Sequence, residues 1–172
     1  MKPLLIFGYG NPGRGDDGLG PEFLDAVNAL ELEEAECQTD MQLQVEHVMD
    51  MQGRTLVLFV DADMSCQEPF EFSEITPEKD DSYTSHAMSP KALLHAYAKV
   101  LNEQPPASYL LRIRGEAFEL GDELSPSAKS NLEVALQQLR PLYENISVDD
   151  WHEFSCRGNI AQTQQGLLIA LA

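Results

Sequence analysis

The chain has 172 residues, enough for one domain with a sizeable buried core. Hydrophobic residues make up 43% and charged ones 23%, while 29 acidic against 11 basic side chains leave a formal net charge of -18. Such a surface repels nucleic-acid phosphates and anionic lipid, so neither is an expected partner, and basic or cationic partners suit it better. No apolar run reaches the roughly 20 residues that a bilayer span requires. The N-terminus "MKPLLIFGYG" turns to glycine too soon for a signal peptide. Three cysteines, Cys37, Cys66 and Cys156, form no C-x-x-C pair, which points to reduced, buried thiols in a cytoplasmic protein.

In chain order, "PLLIFG" reads as a first strand, buried on both faces because its apolar run is continuous. A helix is expected from Asp16 or Asp17 through "LGPEFLDAVNAL", with Leu19, Phe23, Ala26, Val27 and Leu30 on one face. "EAECQTD" is a weaker second strand, and "LQVEHVMDM" reads as a short amphipathic helix. "TLVLFVDAD" is the strongest strand, β-branched and aromatic and ending in acids. "PFEFSEI" alternates apolar with polar and is expected at a sheet edge. After the polar loop "TPEKDDSYTSHAM", Ser89 and Pro90 supply an N-cap and first residue for the helix "KALLHAYAKVLNE". "ASYLLRIRGEAFEL" is the last strand, and Ser125 and Pro126 start a final long helix. Strands alternating with helices predict an α/β protein with helices on both faces of the sheet, and the half-polar fourth strand makes that sheet mixed.

"GYGNPGRGDDGLG", residues 8–20, contains G-x-G-x-x-G at Gly8, Gly10 and Gly13 in the strand–turn–helix setting of a dinucleotide site. Three features oppose that use. Pro12 removes an amide that would donate to phosphate. Asp16 and Asp17 place negative charge where a pyrophosphate would lie, and Asp40 comes late for a ribose ligand. One carboxylate is enough to cap the helix, so the second is free to face a cleft. A further acid pair, Asp61 and Asp63, ends the third strand, at the rim where open α/β sheets bind ligands. If strands one and three are neighbours, Asp17 and Asp61 share that rim. Two carboxylates so placed must share a proton, bind a cation, or be separated by hydrogen bonds.

His86, on a loop before a capped helix, is the best third member. His47 and His95 lie on amphipathic helices and read as packing residues, while His152 beside Trp151 has no assignable role. An Asp, Asp, His set of oxygen and nitrogen donors suits zinc or nickel, with positions left open for water or substrate.

These segments together carry a family resemblance. "GYGNPGRGDDGLG" resembles the N-terminal signature of the nickel–iron hydrogenase maturation endopeptidases. "FVDAD" is similar to their second acid segment, "TSHAMSP" to their histidine segment, and "RGEAFELGDELSP" to the segment before their final helix. The resemblance spans about residues 4–143, in order. It implies a three-layer α/β/α sandwich with a five-stranded mixed, mostly parallel sheet, and a metal-contacting, catalytic trio carried here by Asp17, Asp61 and His86. Many members have glutamate at the first of these positions, so aspartate shortens the reach by one methylene. Asp40, within "TDMQLQVE", stands loosely where many members carry another acid. Asp40, Gly10 and Asn11 are expected on the substrate side of the site.

The implied reaction removes a short C-terminal extension from the hydrogenase large-subunit precursor once nickel has been inserted. Nickel would then arrive with the substrate, and zinc or cadmium could occupy the same donors. A monomer is expected, with no dinucleotide, nucleic-acid or membrane partner. The alternatives are a non-catalytic metal-binding accessory protein that holds the precursor, and, from the glycines alone, a nucleotide-binding oxidoreductase. Residues 1–144 are expected to form the protease domain. The remaining tail, 145–172, has no counterpart in the resemblance and is expected to pack on that domain because "GLLIALA" is too apolar to remain in water.

Overall fold

The architecture follows from where continuous and alternating apolar runs fall along the chain. In the computed structural model, which describes residues 1–80 and 87–157, five strands form one sheet in the order β2-β1-β3-β5-β4. They are β1 (Leu4–Tyr9), β2 (Ala35–Asp40), β3 (Leu56–Asp63), β4 (Phe70–Ile75) and β5 (Ala107–Arg114). Four run parallel, and β4 alone pairs antiparallel, on the outside of β5. β1 and β3 are neighbours and bury both faces, as their unbroken apolar sequences require. β4 buries Phe70 and Phe72 on one face and leaves polar residues between them, the mark of a half-covered edge.

Helices cover both faces. They are α1 (Leu19–Asn28), α2 (Val48–Met51), α3 (Pro90–Leu101), α4 (Pro126–Glu144) and α5, whose described part is 148–157. Even-numbered residues of β1 and β3 (Leu4, Ile6, Leu56, Leu58, Val60) join a core with α1 and α4. Odd-numbered ones (Leu5, Phe7, Val57, Phe59) join a second core with α2 and α3. The result is the expected three-layer α/β/α sandwich with a mixed, mostly parallel sheet. Ser89 and Ser125 cap α3 and α4 by accepting from the amides of Ala92 and Ala128, at 3.1 and 3.2 Å. No helix among the described residues is long and apolar enough to cross a membrane.

Several local expectations are corrected. The first helix starts at Leu19, after a 3₁₀ turn over Gly15–Gly18, and ends at Asn28. Leu30 therefore lies beyond it and is 38% exposed, while Leu24 takes the buried place on the core face. "LQVEHVMDM" divides into a 3₁₀ turn, Val45–His47, and the single turn of α2. "GEAFEL" leaves the last strand because the amides of Glu116 and Ala117 bond to Asp16 instead of to a neighbouring strand. Burial of all three cysteines fails at Cys156, which is exposed, whereas Cys66 is buried and Cys37 half-buried.

Part of the tail lies within the described residues. Trp151 of α5 is fully buried; its indole N–H donates to the Leu142 carbonyl at 3.0 Å, and its ring lies 5.4 Å from that of Tyr109. Phe154 meets Phe72 edge-on at 5.2 Å. "GLLIALA" lies outside the described residues. Removing an indole this deeply packed forfeits its transfer free energy and leaves a cavity. Trp151→Ala is therefore expected to lower unfolding stability by about 3–5 kcal/mol in urea titration. A loss below about 1 kcal/mol would show that α5 is not an integral part of the core.

Candidate active site

The carboxyl ends of β1 and β3 open onto the loop that follows β1, and the acids of "GDDG" divide their work there. Asp16 is completely buried. Its Oδ2 accepts from the amides of Glu116 and Ala117, at 2.8 and 3.0 Å, and from the Ser125 hydroxyl at 2.8 Å. Its Oδ1 accepts from the Ser125 amide at 2.7 Å. Burial pushes its acidity toward neutrality, but these bonds to Glu116, Ser125 and Ala117 outweigh burial and hold its pKa below the ordinary value. Asp16 thus neither caps α1 nor faces a cleft, for α1 has no side-chain cap.

Asp17 is the half-buried member of the pair. Its Oδ2 accepts from the Asn11 amide at 2.8 Å, and Asn11 Oδ1 accepts from the Gly13 amide at 2.9 Å. Gly10, at φ 136°, makes this possible: a Cβ there would sit 2.1 Å from the Asp17 carbonyl oxygen. Gly20 does the same for α1, where a Cβ would lie 2.7 and 2.8 Å from the carbonyl oxygens of Tyr9 and Val60. Gly10 and Asn11 therefore position Asp17.

Asp61, near the end of β3, stands on the sheet face that carries Val57 and Phe59. Burial raises its pKa to about 7, against the opposing hydrogen bonds from the Tyr9 hydroxyl and the Ala62 amide. The charges of Asp17 and Asp63 raise it further. Tyr9 is driven well above the usual phenol range by burial and by Asp61, and remains a neutral donor. Asp63 turns away. Its Oδ1 accepts from Ser65 at 2.6 Å and its Oδ2 pairs with Arg112 at 3.0 Å.

Asp40 ends β2 beside Tyr9, and its carbonyl accepts the Gly10 amide at 3.1 Å. Its carboxylate accepts from the Met41 amide at 2.6 Å and faces His47 Nε2 at 3.2 Å. His47 Nδ1 accepts the Gln44 amide at 2.9 Å, which leaves the proton on Nε2, toward Asp40. His47 thus belongs to the rim as well as to packing, its ring 4.5 Å from that of Phe7. Tyr9 and His47 are the rim residues that sequence reasoning missed. The signal for Tyr9 was present, because the two-residue period of β1 carries Leu5 and Phe7 to Tyr9 on Asp61's face.

His86 lies outside the described residues, and among the described residues no group of three His, Cys, Asp or Glu side chains could hold a metal ion. Asp17 follows β1 and Asp61 lies near the end of the neighbouring β3, and carboxylate oxygens have the chemistry to accept a divalent cation in place of a shared proton.

No protein-family model and no curated protein sequence matches the chain. Solved structures do. A [NiFe] hydrogenase maturation protease, HycI from Thermococcus kodakarensis KOD1, superposes with a TM-score of 0.64 at 20% identity, covering 84% of this chain and 94% of that one. The hydrogenase maturating endopeptidase HybD from E. coli gives 0.63 at 23%, covering 84% and 93%. A hydrogenase 2 maturation peptidase from a Thaumarchaeota archaeon gives 0.61 at 22%, covering 84% and 100%. This chain has the hydrogenase maturation protease fold.

Within that fold the glycine loop is committed to its own protein. The Asp16 amide donates to the Ala117 carbonyl at 2.7 Å, the Gly15 amide to Asp122 at 3.1 Å, and the Asn11 and Gly13 amides to Asp17 and Asn11. Those are the amides a pyrophosphate would need. The dinucleotide reading therefore loses its donors as well as its electrostatics.

Replacing Asp16 by asparagine puts an NH2 among N–H donors and removes the charge they solvate. Asp16→Asn is expected to cost about 2–4 kcal/mol at pH 7 in chemical denaturation. Because its folded pKa is lowered, the carboxylate's contribution is present above the unfolded value and lost as pH falls through the folded one. The gap between wild type and variant should therefore narrow below about pH 4. A gap independent of pH would contradict the charged clamp.

Proposed function

We propose that the chain is a hydrogenase maturation endopeptidase that hydrolyses one peptide bond in a nickel-loaded large-subunit precursor, releasing a short C-terminal extension. What supports the proposal is the placement of Asp17, just after β1, and Asp61, near the end of the neighbouring β3. It occurs within a fold shared with proteins described as hydrogenase maturation endopeptidases. His86 supplies the third ligand in this reading.

The chemistry follows from the donor set. Two carboxylates and an imidazole are a weak site for nickel by themselves, since they lack a thiolate. A precursor that presents nickel on its own cysteines completes the shell, so the peptidase engages the loaded substrate in preference to the empty one. The substrate's ion polarises the scissile carbonyl, water adds to it, and a carboxylate accepts the water's proton. That proton passes to the leaving amine as the peptide bond breaks. The Tyr9 hydroxyl holds Asp61 in place, and Asn11 and Gly10 hold Asp17. A net charge of -18 favours approach of a cation-bearing surface.

Intact-mass measurement of nickel-loaded and nickel-free precursor after incubation with the protein tests this. Only the loaded precursor should lose its extension; a loaded precursor that stays intact refutes the peptidase reading in favour of an accessory that merely holds it. Asp17→Asn, Asp61→Asn and His86→Ala should each lower the cleavage rate by at least about 100-fold with the thermal transition preserved. Wild-type rates in any of them would remove that residue from the mechanism.

A further inference from the structure

Outside that rim, three reactive side chains meet where α5 crosses the edge of the sheet. Glu74 of β4 pairs in register with Tyr109 of β5, and α5 packs over the same face through Trp151 and Phe154. One helical turn apart on α5, His152 and Cys156 project beside Glu74. His152 Nδ1 lies 2.8 Å from Glu74 Oε2, and His152 Nε2 lies 3.9 Å from Cys156 Sγ, the reach of a long sulfur hydrogen bond. With Glu74 ionised, its carboxylate accepts the Nδ1 proton, which leaves the Nε2 lone pair facing the thiol.

A second feature adjoins this cluster, since Tyr109 is the register partner of Glu74. Tyr109 is completely buried and its hydroxyl has no hydrogen-bond partner among the described residues. Burial, and then the charges of Glu74 and Cys156, raise its pKa to about 12. It remains a protonated donor whose hydrogen-bonding capacity is unused among the described residues. The nearby cation Arg157 is paired with Glu153 on the same helix. No group of three side chains able to hold a metal ion exists among the described residues, so the geometry favours thiol chemistry over metal binding.

We propose that Cys156 is a base-assisted nucleophilic thiol, activated by His152 and Glu74, and that its co-reactants are low-molecular-weight disulfides. The Sγ–H proton passes to His152 Nε2, and the thiolate attacks one sulfur of the disulfide. A new Sγ–S bond forms as the S–S bond breaks. The departing thiolate takes the proton from the imidazolium and leaves as a thiol. One disulfide is consumed and one mixed disulfide formed, with no outside oxidant. The exposed thiol is accessible to such a reagent. Cys37 and Cys66 serve as internal controls, because burial pushes both thiols up to about 11.

The test uses the full-length protein with oxidised glutathione and, separately, iodoacetamide at pH 7, followed by intact mass and peptide mapping. One glutathionyl group is expected, on Cys156. Alkylation of Cys156 should run about tenfold faster in the native protein than in the same protein unfolded in guanidinium. His152→Gln, at a side chain that is 61% exposed, should bring the native rate down to the unfolded one with an unchanged melting transition. Glu74→Gln should give an intermediate rate. A native rate at or below the unfolded rate, or a His152→Gln variant as fast as wild type, overturns the proposal.

Discussion

The buried carboxylate of Asp16 is the constraint on which the rest of the site depends. A fully desolvated charge is tolerated only where enough donors converge on it, and here three backbone amides and a hydroxyl do so. All four donors come from the segment between β5 and α4. The same contact therefore sets the path of residues 115–125, starts α4 at Ser125, and holds the 3₁₀ turn that carries Asp17. Ser125 takes part twice, donating to Asp16 while its oxygen accepts the first free amide of α4. Asp17 is left half-buried beside a neighbour in sequence that is completely buried.

Burial sets the electrostatics of the rim in a graded way. Asp16 has donors enough to stay ionised, and Asp63 is held low by Ser65 and Arg112 against the cost of its burial. Asp61 has only Tyr9 and the Ala62 amide, and it faces other negative charges, so its proton is retained to about neutrality. A carboxylate at a strand end whose proton is held to neutrality by burial is a marker of candidate functional sites. Asp40, at the end of the neighbouring strand β2, instead faces His47 of the following 3₁₀ turn.

Much of this was legible in the sequence, and the parts that were not share a cause. β1 and β3 could be read because a strand buried on both faces announces itself as an unbroken apolar run, and β4 because its alternation marks a half-covered edge. Ser89-Pro90 and Ser125-Pro126 gave the starts of α3 and α4, since capping depends on residues three apart. The role of Asp16 could not be read, because its partners stand 100 to 109 residues away and three are backbone amides, which carry no sequence signal. The end of α1 at Asn28 depends on the chain turning through Glu31 at φ 51°, a residue with no glycine to give it away. The Glu74–His152 contact is likewise invisible, joining an edge strand to a helix 78 residues later.

The glycine loop shows how one local pattern can serve opposite electrostatic ends. In either use, strand, tight turn and helix bring backbone close to backbone, and that is what Gly10 and Gly20 permit here. What differs is the destination of the amides. A phosphate loop leaves them open toward an anion from solution; this loop directs them at its own carboxylates and carbonyls, so its anion is built in. A loop already carrying its negative charge repels the phosphates that its counterpart attracts. The two adjacent aspartates are therefore the discriminating feature, and they act by opposite routes: Asp16 consumes the donors of the 115–125 segment, and Asp17 presents what remains of the charge at the rim.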